Sequence, residues 1–293
     1  MKLKLKGYIL AFISAATYGM IPLFMIPIKK SDFSLDGALF YRFLIASVFI
    51  LGYLLYTKES LKLTLREIYT FAFLGLLYAL SSEFLFAAYD YLSPGIASTI
   101  FFMYPVVVAV ILGTFFKGKI SLPTILSLLI VLIGIFILSV KDISSFSIDY
   151  FGLFVAFMGA FVYGVYMVVV NQTHLSASGI KIAFYSMLFS SAYFLAKSLI
   201  LESKIPVPKG TMFLHLTIFS LITTVLSVTT LIYAIRYIGS TPTAIMGAIE
   251  PVIAVGISVG LFSEELTATL IIGVILIIIG VLIDIIFGQK KEQ

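Results

Sequence analysis

Stretches of about 20 residues with almost no charge recur along the whole of this chain, and that recurrence limits its fold more than any other feature. A helix needs about 20 mainly apolar residues to cross the roughly 30 Å hydrocarbon layer of a bilayer. Inside that layer every backbone N–H and C=O has to be paired within the protein. Ten such stretches are read at about 7–28, 36–56, 67–89, 94–116, 122–139, 151–170, 179–200, 212–235, 240–262 and 267–287. Composition supports the reading: 61% of residues are hydrophobic and 11% charged, whereas a soluble domain is roughly 45–50% apolar and about 25% charged. The expectation is an all-α membrane protein of ten transmembrane helices in a lipid bilayer, with short connections and no separate soluble domain. The opening Met1 to Lys6, followed by an apolar run, imitates a secretory signal. That run continues to about Ile28, well past the roughly 7–15 residues of a signal's apolar core, so it is read as a retained first span.

Charge placement then suggests an orientation. With the N-terminus inside, the cytoplasmic set is Lys2, Lys4, Lys6, Lys58, Lys62, Arg66, Lys117, Lys119, Lys181, Arg236, Lys290 and Lys291. The outer set is Lys29, Lys30, Lys141, Lys197, Lys204 and Lys209. Twelve against six favours both termini on the cytoplasmic side of the cell membrane. The net charge of +5 is absorbed by this rule, so no nucleic-acid partner is expected. The chain has no cysteine and only two histidines, which argues against disulfides, thiolate chemistry and a histidine metal site. No metal and no cofactor are expected.

An internal repeat organises the spans. Gly7 to Gly19 reads GYILAFISAATYG and Gly152 to Gly164 reads GLFVAFMGAFVYG, with Gly7/Gly152, Ala11/Ala156, Phe12/Phe157, Tyr18/Tyr163 and Gly19/Gly164 at an offset of 145. Towards the ends of the halves the offset becomes 146, pairing Tyr91/Tyr237, Pro105/Pro251, Phe116/Phe262, Ile125/Ile271 and Gly134/Gly280. The halves are placed at 1–145 and 146–293, five helices each. Five is odd, so the second half enters the membrane in the opposite sense, as two inverted repeats. Substrate sites in such proteins lie near the midplane between the repeats.

These residues resemble the EamA-type members of the drug/metabolite transporter superfamily along essentially the whole chain. The resemblance rests on Ala15-Ala16-Thr17-Tyr18-Gly19, with Tyr where the family has Trp, and on Arg42 to Ala46. It also rests on Ala88-Tyr89-Asp90-Tyr91-Leu92-Ser93 with its echo Ala234 to Gly239, on Glu250-Pro251-Val252, and on Phe262-Ser263-Glu264-Glu265-Leu266. Phe116 to Ile120, the first-half counterpart of the last motif, lacks the glutamate. The resemblance implies an exporter of amino acids, other metabolites or drugs.

Ionisable groups inside spans carry most weight, because each costs about 2.5–3.5 kcal/mol at the bilayer centre on insertion scales. Three stand out: Arg42, Glu83 and Glu250. Arg42 lies roughly 9 Å below the outer end of its span at 1.5 Å per residue, and Glu83 at a similar depth. Pairing of Arg42 with Glu83 is therefore expected, either as an ion pair fixing the second span to the third or as part of a substrate site. Glu250 stands before Pro251, and Tyr104 before Pro105 at the equivalent place. Proline removes a backbone donor, so both prolines are expected to kink helices beside a central cavity. Glu250 is a candidate for binding a substrate ammonium or taking up a proton, against the plainer role of bonding a neighbouring helix. Of the tyrosines at 18, 41, 78, 89, 104, 163, 166 and 233, the repeat or a proline singles out Tyr18, Tyr104 and Tyr163 as substrate contacts. Asp90, Arg236 and Asp284 are expected to reach the interface, and His174 and His215 to lie near it.

The favoured reading is a secondary transporter, not an enzyme, that exports amino acids or related small metabolites by alternating access, with protons as a candidate coupling ion. The alternatives are a non-transporting scaffold or receptor, and an intramembrane enzyme. The enzyme is disfavoured because no HExxH, phosphate-binding glycine loop or paired intramembrane aspartates are present.

Overall fold

The computed structural model describes residues 2–29, 31, 33–88, 90–92, 97, 100–116, 121–139, 149–172, 177–201, 205–262 and 267–288. Lys30, Tyr89, Ser93, the motif residues 117–120, Lys141, His174, Lys204, the motif residues 263–266, Lys290 and Lys291 lie outside that description. The described residues are almost entirely helical, without strands: α1 Lys2–Tyr18, α2 Ile21–Lys29, α3 Leu35–Tyr56, α4 Leu65–Ala88, α5 Tyr104–Phe115, α6 Leu122–Ser139 and α7 Tyr150–Gln172. There follow α8 Gly179–Leu201, α9 Thr211–Ser220, a π segment Leu221–Leu226, α10 Ser227–Ile238, α11 Ser240–Gly247, α12 Ile249–Phe262, α13 Ala268–Ile283 and a π turn Asp284–Gly288. Six stretches among them are long and apolar enough to cross a membrane: Leu3–Met25, Leu35–Tyr56, Leu65–Ala88, Tyr150–Gln172, Gly179–Leu201 and Thr211–Ile238. Shorter apolar helices stand at Tyr104–Phe115, Leu122–Ile137 and Ile271–Ile283. Large apolar side chains such as Leu129, Ile133 and Phe136 on α6 and Ile272, Ile275 and Ile279 on α13 remain exposed at helical spacing, the outward face that lipid would cover.

Three expected continuous helices are broken, and the breaks have causes. Pro105 and Pro251 cannot donate to the carbonyls four residues back, and their rings crowd those carbonyls. The chain accordingly turns at 102–103 and at Ala248, and each proline sits in the first turn of a new helix, α5 or α12. The two breaks are equivalent at the 146 offset. The first span parts at Gly19-Met20 into α1 and α2, with Pro22 in the first turn of α2, a position that suits its fixed φ and missing N–H.

Packing follows the repeat. The most extensive contacts are α6 with α13, α3 with α8, α4 with α7, and α1 with α10, and exchanging the halves maps this set onto itself. Close approaches match in pairs. A Cβ on Gly7 would come within 2.5 Å of Ile238, and one on Gly152 within 2.7 Å of Tyr91 and 2.8 Å of Leu92. A Cβ on Gly19 would meet the Glu250 carbonyl at 2.6 Å, and one on Gly164 would meet Val107 at 2.8 Å and the Tyr104 carbonyl at 3.3 Å. Gly134 faces Gly273 and Ile277, while Gly280 faces Ser127 and Val131. In the last pair the contacts run in reverse order along the two helices, so the equivalent α6 and α13 are antiparallel. The same holds for α3 and α8, because Asp36 at the start of one meets Lys197 near the end of the other. Small residues let helix backbones approach where lipid gives no hydrophobic drive. Gly280→Leu is therefore expected to lower the melting temperature of the detergent-purified protein by several degrees, because its Cβ would lie 2.6 Å from Val131. Gly52→Ala, with nothing within 4 Å, should leave that temperature unchanged in the same fluorescence-detected thermal assay.

Candidate functional site

The three helix breaks and the middle of α7 deliver side chains to the centre of the molecule. Tyr104 opens α5, Glu250 lies in the first turn of α12, Tyr18 ends α1, and Tyr163 and Tyr166 sit midway along α7. The rings form one cluster: Tyr104–Tyr163 centroids are 4.9 Å apart, Tyr18–Tyr163 6.3 Å, Tyr78–Tyr163 6.2 Å and Tyr78–Tyr166 5.2 Å. Tyr18 and Tyr163 are repeat mates that stack on each other, so the pseudo-symmetry runs through the middle of this cluster. Every one of these tyrosines, with Arg42 and Glu250, is buried. A side chain at Gly247 would land on the Tyr104 hydroxyl, and the same space lies 3.4 Å from Glu250 Oε1. Glycine there is what lets the Tyr104 hydroxyl approach the carboxyl. Among the described residues the Glu250 side chain makes no hydrogen bond and no ion pair.

Arg42 enters from the other side. It is fully buried, with Nε donating to Thr224 Oγ1 at 2.7 Å and Nη2 to the Thr223 carbonyl at 3.4 Å. Both partners belong to the π segment, whose widened turn re-aims backbone and side chain relative to a regular helix. Ser220 Oγ donates back to the Arg42 carbonyl at 2.6 Å. The guanidinium lies over three rings, Phe219 at 4.7 Å, Phe43 at 5.4 Å and Tyr18 at 5.8 Å. Among the described residues its Nη1 has no hydrogen-bond partner. Tyr18 thus lies beside the guanidinium, within electrostatic reach of the Glu250 carboxyl.

The expected pairing of Arg42 with Glu83 does not form. Glu83 Oε1 lies 2.8 Å from Lys197 Nζ, and its Oε2 accepts from the Tyr193 hydroxyl. Similar depth along two spans is not enough to join them: α8 of the second half supplies the partners of Glu83, and Arg42 is turned towards the π segment. A second correction concerns Asp284, which is buried instead of reaching the interface and accepts from Thr124 Oγ1 at 3.0 Å. Asp90 and Arg236 are exposed, and Arg236 donates to the Ala177 carbonyl at 2.6 Å. His215 Nε2 lies 2.8 Å from the Phe24 carbonyl oxygen. Tyr41 packs on Phe40 and Phe33, and Tyr233 stacks on Tyr237, so neither joins the central cluster. Sequence reasoning missed Thr223 and Thr224. Hydroxyl residues in an apolar run give no local sign of a π turn.

A helical protein of two like halves, apolar outside and with buried polar groups meeting between the halves, defines a polytopic membrane protein of the two-repeat kind. The EamA-like transporter family model matches residues 5–140 and again 150–285, so the chain belongs to that family. A solved structure described as "Crystal structure of protein" is similar with a TM-score of 0.83 at 15% identity, covering 98% of this chain and 99% of that one, a likeness of fold. No curated protein sequence matches the chain.

Proposed function

We propose that the protein is a secondary transporter for small zwitterionic solutes, amino acids or related metabolites, which it exports by alternating access through the Tyr18–Tyr163 centre. The reading includes ten spans, in two inverted five-helix repeats at 1–145 and 146–293, with both termini cytoplasmic. One observation carries it. Two buried groups of opposite charge, Arg42 and Glu250, flank the tyrosine cluster, and neither has an ion-pair partner among the described residues. Buried charges are ordinarily paired or neutralised, so a guanidinium and a carboxyl left over at a common centre suit a ligand bearing both an anionic and a cationic end. Arg42 would take the carboxylate through its fork of donors, Glu250 the ammonium, and Tyr18, Tyr104 and Tyr163 the apolar remainder. Glu250 would also be the group that exchanges a proton.

The test is exchange by purified protein in liposomes loaded with a mixed pool of amino acids and small metabolites, read by mass spectrometry. Selective loss of zwitterions, over analogues lacking either charge, is the expected outcome. Loss of uncharged solutes alone would exclude the zwitterion site, and no loss of any solute from folded protein would count against transport.

A further inference from the structure

Away from the centre, three charged side chains meet across the boundary between the halves. Lys197 Nζ lies 2.9 Å from Asp36 Oδ1 and 2.8 Å from Glu83 Oε1. Tyr193, one turn earlier on α8, donates to the other Glu83 oxygen. Asp36 is in the first turn of α3, Glu83 in the last third of α4, and Lys197 near the end of α8, so all three lie at one membrane face. The side chains are 15–26% exposed, and Lys197 borders an open surface depression of about 290 Å³ on α8, together with Tyr193, Ala196, Ile200 and Leu201.

Among the described residues the opposite face lacks this arrangement. At the 145 offset Lys197 corresponds to Gly52, which has nothing within 4 Å of its Cβ position. Glu83 corresponds to Val228 or Thr229, and Asp36 to Lys181. Lys181 donates to the Lys62 carbonyl at 2.7 Å, and Tyr185 to the Leu61 carbonyl at 2.6 Å. One face is therefore joined by a charged cluster and the other by bonds to backbone carbonyls.

We infer that Lys197, Asp36 and Glu83 form a one-sided clasp, positioning residues that hold α3 and α4 of the first half against α8 of the second and keep the centre closed from that face. The helices they join are the ones that carry Arg42, Tyr78 and Ser186 inward. Arg42 is six residues from Asp36, roughly 9 Å along the helix, so parting the clasp opens the shortest path to the guanidinium. The consequence for transport rests on the function proposed above; the clasp itself does not.

The chain contains no cysteine, so Ser186→Cys, a near-isosteric change at a fully buried α8 position beside Tyr166 of the central cluster, introduces a single buried thiol. Its labelling by a water-soluble maleimide is measured in lipid nanodiscs, with no substrate present. Slow labelling is expected in this single-thiol parent, with an increase of about tenfold on adding K197M or E83Q, in the range typical of coupling between two states. K197R and the opposite-face K181M should stay close to the parent. Equal rates in parent, K197M and E83Q would overturn the clasp, and an equal gain in K181M would overturn its one-sidedness. Monodisperse elution certifies each variant's fold, and if K197M fails it, E83Q decides. A silent transport assay alongside accelerated labelling would count against the transporter reading and leave the clasp standing.

Discussion

Replacing Glu250 by glutamine is expected to slow zwitterion exchange in liposomes by roughly a hundredfold, since hydrogen bonds to a charged group contribute about 1.5–3 kcal/mol. The size follows from the site. The carboxyl is buried, pairs with no cation among the described residues, and borders the space that Gly247 leaves for the Tyr104 hydroxyl. Glutamine keeps the volume and a carbonyl oxygen but not the charge, so the α11–α12 break and the contact of Gly19 with the Glu250 carbonyl should persist. The thermal melting temperature is accordingly expected to hold or rise, because a neutral amide costs less to bury than a carboxylate. Exchange at the wild-type rate with an unchanged pH profile would remove Glu250 from the site. Rate loss together with collapse of the melting temperature would assign it a structural part instead.

The largest expected effect on stability belongs to Arg42→Ala. Arg42 joins α3 to the π segment through Thr224 and Thr223, and it fills the space among Phe43, Phe219 and Tyr18. Truncation removes both bonds from a charged donor, at about 1.5–3 kcal/mol for a hydrogen bond to a charged group, and adds a cavity term on top. A fall in melting temperature large enough to reduce the yield of monodisperse protein is the anticipated result. Arg42→Lys separates the two roles. It keeps the positive charge and most of the volume but loses the planar fork, so it should recover part of the stability and little of the exchange. Full recovery of exchange by lysine would show that only the charge at this position counts.

Much of the architecture is legible in the sequence because the bilayer leaves few options. Continuous apolar runs mark α3, α4, α7 and α8 to within a residue or two, since no competing signal interrupts them. The repeat is visible because glycines at helix crossings have no substitute: Gly7, Gly19 and Gly134 and their mates are all contact points. It also places Tyr18 opposite Tyr163 and Tyr104 opposite Glu250. What it cannot show is side-chain direction about a helix axis between non-equivalent spans. Arg42 and Glu83 lie at similar positions in their spans but do not meet, and their true partners, Thr224 and Lys197, come from the other half of the chain. In the sequence Lys197 reads only as a loop charge that sets orientation. The π segment is also out of reach, since a single extra residue per turn leaves no mark in an apolar sequence.

The way the helices choose neighbours bears on how such a chain is made. Among the described residues, every one of the most extensive helix pairs joins the first half to the second, and helices of the first half hardly touch one another. While the first half is being synthesised, its glycine faces lack their partners and the Arg42 guanidinium lacks Thr223, Thr224 and Phe219, because α7, α10 and the π segment have not yet emerged from the ribosome. The early spans must wait in the translocon or in lipid as loosely associated helices, and the core forms only when the second half threads between them. Each half acts as the template on which the other folds, so a chain stopped midway leaves an unassembled set of spans for membrane quality control to clear.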